Sequence, residues 1–193
     1  MRIKCCGITR PEDARYAEAC GADAIGVVVF SPMSKRSVTL DQAREIFDAV
    51  GPFTTTVAVS HSTSPEDLEK MLALHMDAIQ ISHPFIFPEK PAAKVIRVIG
   101  RNDPIPADCN AIIIDESHGS GKNFDLSHAH SVVQRSALPV ILAGGLTTEN
   151  VADAIRQVHP YAVDVASGIE TAPGIKDHKK IAAFIAAARK SVP

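Results

Sequence analysis

A thiol, two carboxylates, a guanidinium and two pairs of small residues are the groups in this chain best placed to do chemistry. Cys6 ends the apolar opening run Ile3-Lys4-Cys5-Cys6 and is followed at once by the turn-former Gly7. A thiol carried on the C-terminal end of a first strand sits where α/β folds concentrate their chemistry. Neighbours on a strand face opposite ways, so only one of Cys5 and Cys6 lines a site, and the two cannot clamp one metal. Read alone, both are equally small core residues. Asp115 closes a second apolar run, Ala111-Ile112-Ile113-Ile114, ahead of the glycine-rich Gly119-Ser120-Gly121-Lys122. A carboxylate there is partly desolvated, which suits a general acid; the plain alternative is a turn or helix cap. The 119–122 stretch reads as a surface loop or as a lid over substrate.

Lys4 shares a strand face with Cys6, and Asp164 stands in the middle of the run Ala162 to Ala166. If the first and last strands are neighbours, Lys4 and Asp164 form an internal ion pair, and the ammonium favours the Cys6 thiolate. Arg36, in Ser34-Lys35-Arg36-Ser37, is either solvated surface or a fork matched to a planar carboxylate. Gly144-Gly145-Leu146 and Ser167-Gly168 follow two late apolar runs, and small residues there let an anion approach backbone N–H groups. Gly-Gly alone is a weak motif, but the pairing on successive strands is the phosphate site that barrels of alternating strands and helices reuse.

The elements that must position these groups follow from hydrophobic spacing. Eight short apolar runs (3–6, 24–30, 55–59, 78–81, 95–99, 111–114, 140–143 and 162–166) alternate with amphipathic stretches, the signature of βα units around a parallel sheet. Helices are expected over 11–20, 40–50, 65–74, 147–158 and 177–190, with Thr9, Thr39 and Ser64 as N-caps. The segments 84–91 and 101–110 are proline-bearing and too short for full helices. The expected fold is therefore α/β: one compact (β/α)₈ TIM barrel over residues 1–193 with one or two helices shortened or replaced by loops. An open doubly wound sheet is the alternative, but the GxGxxG that usually follows its first strand is missing.

Composition narrows the function classes. Twenty Lys and Arg against 22 Asp and Glu give a net charge of −2 with no basic block, so no nucleic-acid partner is expected. No apolar stretch reaches membrane-spanning length and no leader is visible, which predicts no membrane partner and a cytoplasmic site of action. The four cysteines show no CxxC pair, and the histidines, His128 and His130 included, no zinc-ligand spacing, so no metal is assigned.

Taken in order, these residues resemble the phosphoribosylanthranilate isomerases. Lys4-Cys5-Cys6-Gly7-Ile8-Thr9 is similar to the family's K-x-C-G-I-T opening, and Gly21 to Gly26 with Phe30-Ser31-Pro32 and Ser34-Lys35-Arg36 to its second-strand signature. Gln80, Asp115 with Gly119 to Asp125, Leu142 to Leu146 with Asn150-Val151, and Val163 to Glu170 with Gly174 to Asp177 complete the likeness. The resemblance implies an Amadori rearrangement of an N-linked ribose phosphate in tryptophan biosynthesis, without metal or organic cofactor. It makes Cys6 the general base and Asp115 the general acid. Arg36 would hold the anthranilate carboxylate; Gln80, Gly121 and Asp164 would contact substrate; Gly144, Gly145, Ser167 and Gly168 would hold phosphate. The partner is a small phosphorylated substrate, and the chain is expected as a monomer or homodimer. Departures fall on the pocket wall: Gln80-Ile81-Ser82-His83 stands for the family's Gln-Leu-His-Gly, Ser60-His61 follows the third strand where Phe is favoured, and Ala166 replaces a common serine. They leave open an isomerase of a related sugar phosphate; a non-catalytic phosphate-ligand-binding barrel is the reading from another class.

Overall fold

Strands form where β-branched and aliphatic residues cluster, and here most strands are buried on both faces, as a sheet covered on both sides must be. A computed structural model describes residues 1–115 and 125–191. Eight parallel strands close into a barrel in chain order: β1 (Arg2–Cys5), β2 (Ala24–Val28), β3 (Thr55–Ser60), β4 (Ala78–Ile81), β5 (Lys94–Ile99), β6 (Ala111–Ile114), β7 (Val140–Leu142) and β8 (Ala162–Val165). Closure puts Lys4 in register with Ala24 on one side and Asp164 on the other. The open-sheet alternative is thereby excluded.

Alternation along each strand divides the core into two layers. Inside the barrel lie Cys6, Val28, Val57, Val59, Ile113 and Ile141, whereas Ile3, Cys5, Ile25, Ile79 and Leu142 pack outward against the helices. Cys5 thus belongs to the helix layer and Cys6 to the interior, as strand alternation required.

Six helices cover the barrel among the described residues: α1 (Pro11–Ala19), α2 (Leu40–Phe47), α3 (Pro65–Leu72), α4 (Leu126–Arg135), α5 (Val151–Val158) and α6 (His178–Lys190). Thr39 closes a full capping box with Gln42, and Ser64 and Asp177 cap α3 and α6. Thr9 does not cap α1: its hydroxyl donates to the Gly174 carbonyl at 2.6 Å, and Arg10 takes the cap position without a side-chain bond. A tertiary partner outcompetes the local one there.

No helix separates β4 from β5 or β5 from β6, so both proline-bearing segments do replace helices. Arg97, pointing outward from β5, substitutes for the first of them. Its guanidinium donates to the carbonyls of His83 and Phe85 at 2.7 Å each and to Asp108 at 3.0 Å, holding Phe85 down as a lid on the outer core. After β8 the chain makes a 3₁₀ turn (Ser167–Ile169) and a small antiparallel hairpin, β9 (Glu170–Ala172) with β10 (Ile175–Lys176), which the apolar runs did not announce.

Candidate active site

The C-terminal ends of the strands open onto a cavity of about 950 Å³. Cys6, Arg36, Gln80, Asp115 and Asp164 all line it, delivered by β1, the loop after β2, β4, β6 and β8. A second cavity of about 680 Å³ lies at the opposite mouth, among the strand starts, and none of the described candidate residues borders it. Chemistry in this architecture belongs to the C-terminal mouth.

Cys6 follows directly on β1. Its N–H donates to the Val165 carbonyl at 2.8 Å and its carbonyl accepts from Lys176 Nζ at 2.6 Å, so the main chain is held on both sides. Room for its sulfur comes from Gly26 on β2: a Cβ there would stand 2.8 Å from Cys6 Sγ and 2.9 Å from Lys4 Cε. Lys4 Nζ donates to Asp164 Oδ1 and Gln80 Oε1, both at 2.8 Å, and the Asp164 contact is a buried ion pair. Burial opposes the charge on Lys4, but Asp164 and Cys6 outweigh it and hold the amine above its ordinary value. Burial likewise pushes the Asp164 carboxyl up, against the pull of Lys4. The 2.8 Å contact with Asp164 and the second acceptor on Gln80 favour the charged pair.

The expected ion pair therefore exists, and its ammonium favours the thiolate as expected, but burial outweighs it. Burial pushes the Cys6 thiol above its ordinary value; Lys4 pulls the other way and Asp164 adds to burial, so the ammonium tempers the shift without reversing it. The Cys5 thiol, buried against the helices, is pushed up to about 12.

Arg36 already holds a carboxylate of the protein. Its Nε and Nη2 donate to Glu170 Oε1 and Oε2 at 2.9 and 2.7 Å, a bidentate fork that the sequence reading missed. Pro173-Gly174 was the available signal, since it marks a turn flanked by Glu170 and Lys176. None of Gly144, Gly145, Ser167 and Gly168 lines the cavity; Ala166, next to Ser167 in the chain, does. The loops after β7 and β8 are pressed together: a Cβ on Gly168 would lie 2.0 Å from the Leu146 carbonyl oxygen, and Asn150 Nδ2 donates to the Gly145 carbonyl at 3.0 Å. Gly121, with the rest of the 119–122 stretch, lies outside the described residues.

The departing wall residues find one another. His61 Nδ1 and Ser82 Oγ are 2.7 Å apart, and His61 lines the cavity, whereas His83 turns edge-on to Phe85 outside it. Among the described residues no three His, Cys, Asp or Glu side chains group as metal ligands. A thiol and a carboxylate facing one cavity can move protons on a bound molecule, and a guanidinium beside them can hold an anion.

A closed eight-stranded barrel with such groups gathered at its C-terminal mouth has the layout of a (β/α)₈-barrel enzyme. The model of the family N-(5'phosphoribosyl)anthranilate (PRA) isomerase matches residues 3–187, and the chain belongs to that family. The N-(5'-phosphoribosyl)anthranilate isomerase of Methanoregula boonei is 63% identical over 191 residues, covering 99% of this chain and 98% of that one. The crystal structure of phosphoribosyl anthranilate isomerase from Thermus thermophilus is 34% identical with a TM-score of 0.85, over 98% of this chain and 99% of that one. A phosphoribosyl anthranilate isomerase solved in complex with reduced 1-(o-carboxyphenylamino)-1-deoxyribulose 5-phosphate is 33% identical with a TM-score of 0.80, over 98% and 99% respectively.

Proposed function

We propose that this chain catalyses the Amadori rearrangement of N-(5'-phosphoribosyl)anthranilate to 1-(2-carboxyphenylamino)-1-deoxyribulose 5-phosphate in tryptophan biosynthesis, with Cys6 and Asp115 as its proton carriers. The observation that carries this reading is that Cys6 and Asp115, from strands three places apart around the ring, face one cavity in a member of the PRA isomerase family. Asp115 protonates the ribose ring oxygen, and the C1′–O bond breaks to give a Schiff base with the anthranilate nitrogen. Cys6 as thiolate then removes the C2′ proton, and those electrons neutralise the iminium as an enolamine. Return of a proton to C1′ and loss of one from the C2′ hydroxyl give the ketone, so the atoms balance without an external oxidant. The substrate's own nitrogen is the electron sink, which is why no cofactor enters.

Arg36 holds the anthranilate carboxylate through the guanidinium edge that Glu170 leaves open. Gly144, Gly145, Ser167 and Gly168 hold the phosphate with backbone N–H groups, since those positions carry no Lys or Arg. Asp164 and Gln80, both fastened to Lys4, contact the ribose, and the family likeness adds Gly121 as a substrate contact. The four unpaired cysteines suit a reducing cytoplasm. No helix among the described residues is long and apolar enough to cross a membrane. The protein works as a monomer or a homodimer, and sedimentation distinguishes the two. The test is turnover: purified protein should convert N-(5'-phosphoribosyl)anthranilate with chelator present. A protein that binds the substrate and converts none would be a binding barrel instead.

A further inference from the structure

Three charged side chains from distant parts of the chain meet beside Cys6. Arg36 comes from the loop after β2, and Glu170 and Lys176 from the two strands of the hairpin that follows β8. Beyond the Arg36 fork, Glu170 Oε1 accepts from Lys176 Nζ at 2.8 Å and from the Gly174 N–H at 3.2 Å. Lys176 Nζ also donates to the carbonyls of Cys6 at 2.6 Å and Ala166 at 3.0 Å, so an ammonium's three donors are all used. The Glu170 and Lys176 side chains are 4% and 0% exposed, and Arg36 alone of the three lines the cavity. Gly7 is part of the same construction: a Cβ there, on a backbone with φ of +68°, would stand 2.5 Å from Arg36 Cδ. The guanidinium therefore crosses the first turn where only a glycine lets it pass.

Two features of this cluster exceed what packing requires. Two cations against one carboxylate leave a surplus positive charge, which a buried site retains at a cost unless another anion arrives. The fork on Glu170 also consumes the Nε–Nη2 edge of Arg36, so the guanidinium offers the cavity its end-on pair of N–H groups in one fixed plane. A planar carboxylate is the anion that matches two parallel N–H groups; a tetrahedral phosphate does not need the plane.

The geometry points to Glu170 as a positioning residue that makes Arg36 selective for a carboxylate-bearing substrate, with Lys176 tying that recognition to the main chain of Cys6 and of the loop after β8. This inference rests on the reading of Arg36 as the carboxylate holder. Glu170 touches no substrate atom; it sets the plane and the single free edge of the group that does. Lys176 holds the Cys6 carbonyl as well as Glu170 Oε1, so its loss moves the base and loosens the fork together.

The test measures selectivity. Affinity is compared by calorimetry for reduced 1-(o-carboxyphenylamino)-1-deoxyribulose 5-phosphate, for its counterpart made from aniline, and for inorganic phosphate. Wild type should prefer the carboxylate-bearing ligand, and Arg36→Ala should abolish the preference. Glu170→Gln should reduce it on the order of tenfold while leaving phosphate affinity in place, raising KM far more than it lowers kcat. Glu170→Asp, which keeps the charge but shortens the reach, should fall between, and it decides the matter if Glu170→Gln does not fold. Lys176→Met should lower kcat and weaken the preference together, because it loses the Cys6 carbonyl and Glu170 at once. If Arg36→Ala leaves the preference intact, the carboxylate reading of Arg36 fails. If Arg36→Ala abolishes it while neither Glu170 variant changes it, that reading survives and the positioning role of Glu170 is overturned.

Discussion

Gly26→Ala adds one methyl group inside the barrel, at the point where the thiol and its neighbouring ammonium are packed. The new Cβ would stand 2.8 Å from Cys6 Sγ, 2.9 Å from Lys4 Cε and 3.1 Å from Lys4 Nζ. Ordinary contacts of a carbon begin near 3.5 Å, so the thiol and the lysine must each retreat by about 0.6 Å. Lys4 has little freedom, because its 2.8 Å bonds to Asp164 and Gln80 would stretch and leave a buried charge poorly paired. Cys6 is held at its own N–H and carbonyl, so its sulfur must turn about χ1 while the main chain stays. Overpacking of this kind costs roughly 1–3 kcal/mol of stability. A 1 Å misplacement of a reacting group costs about 10²-fold in rate, so a shift of roughly half that size should lower kcat by about 10-fold or more. The phosphate loops and Arg36 are untouched, so KM and affinity for the reduced product should change little. Steady-state kinetics, calorimetry and thermal unfolding of the same preparation measure these separately. A folded Gly26→Ala protein with wild-type kcat would refute the claim that the position of Cys6 Sγ limits the reaction.

Cys6→Ala and Asp115→Asn should each lower kcat by roughly 10²–10⁴-fold with ligand affinity nearly intact, whereas Cys5→Ala should keep kcat and lose only some stability. Equal losses from Cys5→Ala and Cys6→Ala would contradict the strand facing. In a variant whose other three cysteines are replaced, the thiolate absorbance of Cys6 should titrate above the ordinary value of about 8.5, and adding Lys4→Met should move it higher still. A midpoint at or below the ordinary value would show that the ammonium, not burial, dominates. For Glu170, burial raises the carboxyl, but Arg36 and Lys176 outweigh it and hold it below its ordinary value. Its stabilisation is thus complete above about pH 4.3 and lost as pH falls through the lower folded value, so Glu170→Gln should lose less stability than wild type on acidification. Denaturant unfolding across that range measures it, and superimposable acid limbs would count against the pairing.

Position along the chain was legible wherever one-dimensional spacing is the cause of structure. Apolar runs bounded by turn residues mark all eight strands to within about two residues, because burial on both faces imposes a run that solvent-facing chain has no reason to carry. Thr39 and Ser64 were readable as caps, since a cap bonds its own next turn. Alternation alone separated Cys6 from Cys5.

What required the folded chain are the properties that depend on partners far away in sequence. Thr9 spends its hydroxyl on Gly174, 165 residues on, which no local rule contains. The sign of the Cys6 shift turns on how completely the barrel excludes water from a thiol beside an ammonium, a balance of burial against one close charge. Glu170 and Lys176 carry no local pattern in the sequence that assigns them a partner. Only barrel closure, which lays the segment after β8 against the turn after β1, buries them and turns them toward Arg36 and the Cys6 carbonyl. Strand positions and facing were thus set by local patterning, because hydrophobic periodicity acts over a few residues. The electrostatics of the site were set by tertiary structure, because charges act through space and their strength depends on the water that closure removes.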